Sequence, residues 1–95
     1  MFAVKVEYSV NESYETQNKN RISKFLEAFK SLDQSRFRYS VFQDKNNHRF
    51  IHLSEYQDEE IQKELLSNKL FLKFQEERDK NLKEKPIITF LNCLT

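Results

Sequence analysis

The sequence predicts an α+β domain in the ferredoxin-like βαββαβ order, a four-stranded antiparallel sheet with two helices on one face. Three observations carry this. Residues 2–10 alternate strictly, with Phe2, Val4, Val6, Tyr8 and Val10 set against Ala3, Lys5, Glu7 and Ser9, the period of a half-buried strand. Two later stretches alternate as well, and the residues between them, Asp44-Lys-Asn-Asn-His48, are turn formers. The two remaining intervals, about 15–32 and 58–83, carry apolar residues at helical spacing.

After the first strand, Asn11-Glu-Ser13 offers turn and N-cap side chains. Tyr14, Ile22, Phe25, Leu26, Phe29 and Leu32 then recur on one helical face, and the polar run Asn18-Lys-Asn-Arg21 weakens the first half of that helix. Past a polar break at 33–35, Phe37, Tyr39 and Val41 alternate with Arg36, Arg38 and Ser40 in a second strand. The third, within Arg49–Tyr56, sets Phe50, His52, Ser54 and Tyr56 against Ile51, Leu53 and Glu55. A short turn between these two strands makes them an antiparallel hairpin.

Gln57-Asp-Glu-Glu60 reads as a helix start, its acids complementing the helix dipole. Ile61 and Leu65 share a stripe, as do Leu66, Leu70 and Phe74, yet Leu66 sits about 140° round from Ile61 at 3.6 residues per turn. That phase jump predicts a break near Ser67-Asn68, with Asn68 as a new N-cap. Pro86 ends helical possibilities, and 87–94 reads as a buried strand. Right-handed crossovers then give the strand order 4-1-3-2. The helices are expected on the Phe2/Val4/Val6/Tyr8 face of the first strand and the Ile51/Leu53 face of the third. Lys5, Glu7, Phe50, His52, Ser54 and Tyr56, extended by Arg36, Arg38 and Phe42, are expected on the opposite face.

Ninety-five residues make one domain, 1–95. Cys93 is the sole cysteine, expected to be a small buried apolar group; with no signal-like segment it fits a reducing cytoplasm. Apolar runs reach about five residues, too short for a membrane span. Sixteen basic against fifteen acidic residues give no pull toward nucleic acid. The absence of glycine excludes P-loop and dinucleotide fingerprints, which need backbone positions without a Cβ beside phosphate. Thirteen aromatics supply area for a core or for self-association.

The run Phe37-Arg-Tyr-Ser-Val-Phe-Gln-Asp44, then Arg49-Phe-Ile-His-Leu-Ser-Glu-Tyr-Gln-Asp-Glu59, then Leu65-Leu-Ser-Asn-Lys-Leu-Phe71 resembles the antibiotic-biosynthesis-monooxygenase-like (ABM-like) domains. The resemblance spans nearly the whole chain. It implies a homodimeric α+β barrel, two open sheets packed face to face, each protomer keeping a pocket between sheet and helices. It also implies activities ranging from cofactor-independent oxygenation of quinols to haem degradation. Tyr56 falls where the family carries a pocket aromatic, and His52 where some members place a polar pocket residue. Glu7 stands where the haem-degrading branch has Asn. That branch also needs an axial His on the second helix, and Leu70–Lys80 has none.

Oxygenation without metal or flavin needs a substrate that reduces O2 once deprotonated, a base, groups that stabilise the anion, and a dry cavity. His52 suits the base, since an unperturbed imidazole titrates near pH 6.5. Tyr56 or an arginine (Arg36, Arg38, Arg78) suits the oxyanion. The candidate catalytic residues are therefore His52 and Tyr56, and the candidate contacts to a small aromatic substrate are Glu7, Phe50, Ser54, Arg38 and Phe74. No metal and no other cofactor is called for. Four competing readings stand beside this. His52 and Tyr56 can simply hydrogen-bond across a dimer interface, and Lys5 and Glu7, alternate residues on one strand face, can take a cross-strand ion-pair role. The whole chain can be a non-catalytic ligand-binding or structural homodimer. An RNA-recognition domain shares the element order, but its glycine is missing and the net charge is only +1. His48 is expected to be solvated, the two histidines with Glu7 and Glu55 lack metal-ligand spacing, and Gln75–Lys80 reads as a solvated helix face with pairs such as Glu76–Lys80.

Overall fold

The computed structural model describes residues 1–95. The elements run β1 (Phe2–Tyr8), α1 (Glu15–Ala28), β2 (Phe37–Gln43), β3 (Phe50–Tyr56), α2 (Glu59–Leu66), α3 (Lys69–Asp79) and β4 (Ile87–Asn92), with 3-10 turns at Glu12–Tyr14 and Phe29–Ser31 flanking α1. All four strands form one antiparallel sheet in the order β2-β3-β1-β4, as the crossover rule requires. β1 is shorter than its alternating pattern: Val10 lies beyond it, in an isolated bridge to Leu82.

The second helical region breaks where its apolar stripe changes phase. Asn68 caps α3, its Oδ1 accepting from the amides of Leu70 and Phe71 at 3.0 and 3.2 Å. Asp58 caps α2 in the same way, accepting from the Ile61 amide at 3.0 Å while Arg36 donates to both its carboxylate oxygens. In the β2–β3 turn Asp44 Oδ1 accepts from the amides of Asn46 and Asn47. The left-handed position falls on His48, at φ 63°, a conformation that Asn, Asp and His adopt more readily than other side chains.

The expected division of faces on β3 is inverted. In an antiparallel ladder directly opposed residues share a face. The register pairs Phe2 with Tyr56, Val4 with Ser54, Val6 with His52 and Tyr8 with Phe50. Phe50, His52, Ser54 and Tyr56 are therefore buried under the helices, and Ile51 and Leu53 are half-buried on the open face. Aromatic area decides the matter: a buried Phe or Tyr removes more apolar surface from water than the Ile and Leu it outcompetes, and the one strongly polar group, His52, finds partners inside. The open face carries Lys5, Glu7, Arg38, Ser40, Phe42, Ile51, Leu53, Glu55, Ile87, Thr89 and Leu91. The expected place of Arg38 and Phe42 holds. Arg36 precedes β2 and serves the α2 N-terminus instead.

The core under the sheet is aromatic. Phe25 of α1 packs edge-on to Phe71 of α3 at 5.1 Å and tilted to Phe74 at 4.9 Å, while Tyr39 and Phe29 close the β2 side. Helices cover β1, β2 and β3, but β4 stands clear: Ile88 and Phe90 are on the helix side of the sheet and still largely exposed. Cys93 is exposed, not buried, because the chain leaves the sheet at Asn92. The expected Glu76–Lys80 pair forms at 3.7 Å, whereas Lys5 and Glu7 pair with each other along β1 at 3.7 Å rather than across strands. His48 is exposed, and its Nδ1 lies 3.0 Å from Glu15 Oε1.

Candidate functional site

A cavity of about 210 Å³ lies between the helix side of the sheet and α2–α3. Its floor is Val4 and Val6 of β1 with His52, Ser54 and Tyr56 of β3, because strand alternation aims every second side chain there. Its roof is a stripe on α3, Phe71, Gln75 and Arg78, at i, i+4 and i+7 spacing. The mouth lies between α2 and the uncovered Ile88 and Phe90 of β4.

His52 sits at the inner end and is fully enclosed by its own chain. Its Nε2 is 2.8 Å from the Tyr8 hydroxyl and its Nδ1 is 2.8 Å from the Tyr39 hydroxyl. The ring stacks on Phe74 at 5.4 Å between centroids. Tyr8 also accepts from Asn18 Nδ2 at 3.0 Å, so the chain Asn18–Tyr8–His52–Tyr39 crosses the core. Burial, with a smaller contribution from the Arg78 cation, pushes the His52 pKa down to about 3. The imidazole is therefore neutral at physiological pH, one nitrogen a donor and the other an acceptor. Burial raises all three phenols, Tyr8, Tyr39 and Tyr56, above the usual tyrosine range; Asn18 partly offsets this at Tyr8 and Ser54 at Tyr56.

The sequence-derived candidates separate into three groups. His52, Ser54 and Tyr56 meet at the cavity. Phe50 and Phe74 are buried behind it, Phe50 stacked on Tyr8 and Phe74 on His52. Glu7 and Arg38 are on the other face of the sheet, Glu7 beside Lys5 and Arg38 in register with Glu55. Sequence reasoning passed over Tyr8, Tyr39 and Asn18 as polar partners of His52. The signal was present for two of them: Tyr8 and Tyr39 stand on the core-facing phase of their strands.

Other hollows carry less chemistry. A groove of about 480 Å³ follows the free edge of β2, but Arg36, one of its two cations, is committed to Asp58. A polar hollow of about 530 Å³ near the β2–β3 turn is lined by Glu15 and His48, already bonded to each other. No three His, Cys, Asp or Glu side chains converge anywhere in the chain to hold a metal ion. No helix is long and apolar enough to cross a membrane.

No family model matches the sequence, and no curated protein matches it. Solved structures match its shape. A crystal structure of an antibiotic biosynthesis monooxygenase superposes with a TM-score of 0.83 over 100% of both chains at 11% identity. Rv0793 from Mycobacterium tuberculosis gives 0.84 over 99% of this chain and 95% of that one at 13% identity. A conserved protein from Methanosarcina mazei Go1 gives 0.80, covering 96% and 90%, at 16% identity. The chain has the ABM-like fold.

At such identities the likeness is one of fold. Side chains must therefore speak for the pocket in this ABM-like sheet. They describe a small, mostly apolar chamber with hydroxyls of Ser54 and Tyr56, amides of Gln62 and Gln75, and one cation, Arg78. Such a chamber suits a flat apolar molecule with a few oxygens.

Proposed function

We propose that this chain binds a small aromatic, quinol-type molecule in the pocket between sheet and helices and oxygenates it without a metal, flavin or haem. One observation carries the reading: the 210 Å³ cavity, lined by His52, Ser54 and Tyr56, sits in an ABM-like fold whose neighbours include a protein called an antibiotic biosynthesis monooxygenase. The volume sets the size class. An apolar cavity of about 150 Å³ accommodates benzene, so this one suits a single ring rather than a polycycle.

The chemistry balances without an outside reductant. An ionised phenol passes an electron to O2, the ring gains one oxygen and becomes a quinone, and the second oxygen leaves as water. Tyr56 and Ser54 contribute hydroxyls along the floor. His52, with both nitrogens engaged and a pKa near 3, holds Tyr39 and Tyr8 in place rather than abstracting a proton. A base so weak, set against an ordinary phenol of pKa near 10, would face an uphill transfer of roughly 9 kcal/mol. The test is an oxygen electrode with a single-ring hydroquinone and metal-free protein: uptake matched by hydroxyquinone, with no hydrogen peroxide released, supports the reading.

A second reading is favoured by the same saturated His52: a domain that binds such a molecule and turns nothing over. It gives binding with no oxygen uptake above buffer.

In either reading the working unit is a homodimer. The open face exposes Phe42, Ile87 and Leu91 and half-exposes Ile51 and Leu53, an apolar surface ringed by Lys5, Glu7, Arg38 and Glu55. A second copy of the same face covers it.

A further inference from the structure

Arg78 is the only charged side chain lining the cavity; no carboxylate does. Its side chain is 12% exposed, and its guanidinium carbon lies 5.2 Å from the Tyr8 ring centroid and 5.3 Å from that of Phe74. The two aromatic rings pack against the cation and help to fix its position. Its sole carboxylate partner is the adjacent Asp79, exposed to solvent, which takes Nε and Nη2. Nη1 makes no hydrogen bond. The facing groups add no negative charge: Tyr39 and Tyr56 stay protonated, and His52 stays neutral. A cation that is largely buried, keeps an unpaired nitrogen and lines an otherwise uncharged chamber is an anion receptor. Its field already reaches the neighbouring groups, where it opposes protonation of His52 and favours ionisation of Tyr8 and Tyr39.

We propose that the pocket selects the ionised form of a single-ring phenol or quinol, with its phenolate oxygen on Arg78 Nη1, and that this cation replaces a protein base. The step is a simple one. The ring hydroxyl's O–H bond breaks, its proton passes to water at the mouth beside Ile88 and Phe90, and the electron pair stays on the oxygen held by Arg78. The arrangement explains why the pocket has no competent base: His52 is too weak an acceptor, and the only carboxylates near the site lie outside its walls. It also fixes the substrate's orientation, with the acidic oxygen toward α3 and the ring across Val4 and Val6.

This inference rests on the pocket reading above, and the test separates the two. The probe is 4-nitrophenol, whose phenolate absorbs where the neutral form does not. Titrated with pH in the presence of saturating protein, the bound dye is expected to ionise about one pH unit or more below the free dye. The ether 4-nitroanisole, which cannot ionise, is expected to bind about ten-fold or more weakly at high pH. In Arg78→Met the downward shift disappears; in Arg78→Lys part of it returns, which a merely structural role for Arg78 would not produce. Bound dye that ionises at the same pH as free dye, or higher, in the unmutated protein overturns the proposal while leaving the pocket reading standing. Dye that fails to bind at any pH overturns both.

Discussion

His52 Nε2 lies 2.8 Å from the hydroxyl of Tyr8, forty-four residues away in sequence, and the pair ties β3 to the end of β1 beneath the helices. With Tyr39 on the other nitrogen, the imidazole becomes a buried strut between three strands. Replacing it removes a hydrogen-bond partner from the fully buried Tyr8 hydroxyl and from the partly buried Tyr39. His52→Leu is expected to lower stability by about 2–4 kcal/mol, the cost of leaving buried polar groups unmatched. Urea denaturation checks this: the midpoint should fall with the slope unchanged. A midpoint equal to that of the unmutated protein would show the strut to be idle.

The same residue sets a pH dependence. Its folded pKa, near 3, lies below the ordinary 6.5, so the unfolded chain binds the extra proton between those values. Stability from this group is complete above pH 6.5 and is lost as pH falls through the window toward 3. At the acid end the loss is of order 5 kcal/mol. Melting temperature measured from pH 7 to pH 4 should fall more steeply for the unmutated protein than for His52→Leu.

The open face gives a separate test. Phe42 is 56% exposed there, next to half-buried Ile51 and Leu53. Phe42→Glu should convert a dimer to a monomer of 11.6 kDa by light scattering at micromolar concentration, with the far-UV spectrum retained. A unmutated protein that scatters as a monomer rules the dimer out.

Asn68 is a local device of modest strength. Asn68→Ala removes the acceptor for two α3 amides and should cost about 1 kcal/mol by urea denaturation. A change within error would mean that the break is held by packing of Leu65 and Phe71 alone.

Much of the fold was legible because it rests on local periodicity. The alternation of Phe2–Tyr8, the Asp44–His48 turn and the phase jump after Leu65 each dictate one element, and chain connectivity leaves one strand order. The division of β3 between its faces was not legible from hydropathy. Ile51 and Leu53 look like the core residues, and only the register opposite Phe2, Val4, Val6 and Tyr8 shows that the aromatic set lies with them. The same inversion parts Glu7 and Arg38 from His52, since they stand on the far face of the sheet. The role of His52 depended on contacts 13 and 44 residues away, which no local pattern encodes. Residue type alone leaves Arg36, Arg38 and Arg78 equal as anion partners; the α3 stripe Phe71–Gln75–Arg78 and the packing of Arg78 on Tyr8 single it out.

The most direct measurement is oxygen uptake with a single-ring hydroquinone, comparing the unmutated protein with Leu66→Trp. Leu66 lines the cavity from a partly exposed position on α2, so an indole there blocks the chamber without disturbing the buried core. The expected result is uptake above buffer that appears with hydroxyquinone one for one, releases no hydrogen peroxide, and vanishes in Leu66→Trp at unchanged melting temperature. Uptake that persists in the blocked variant, or none from the unmutated protein, contradicts oxygenation in this pocket.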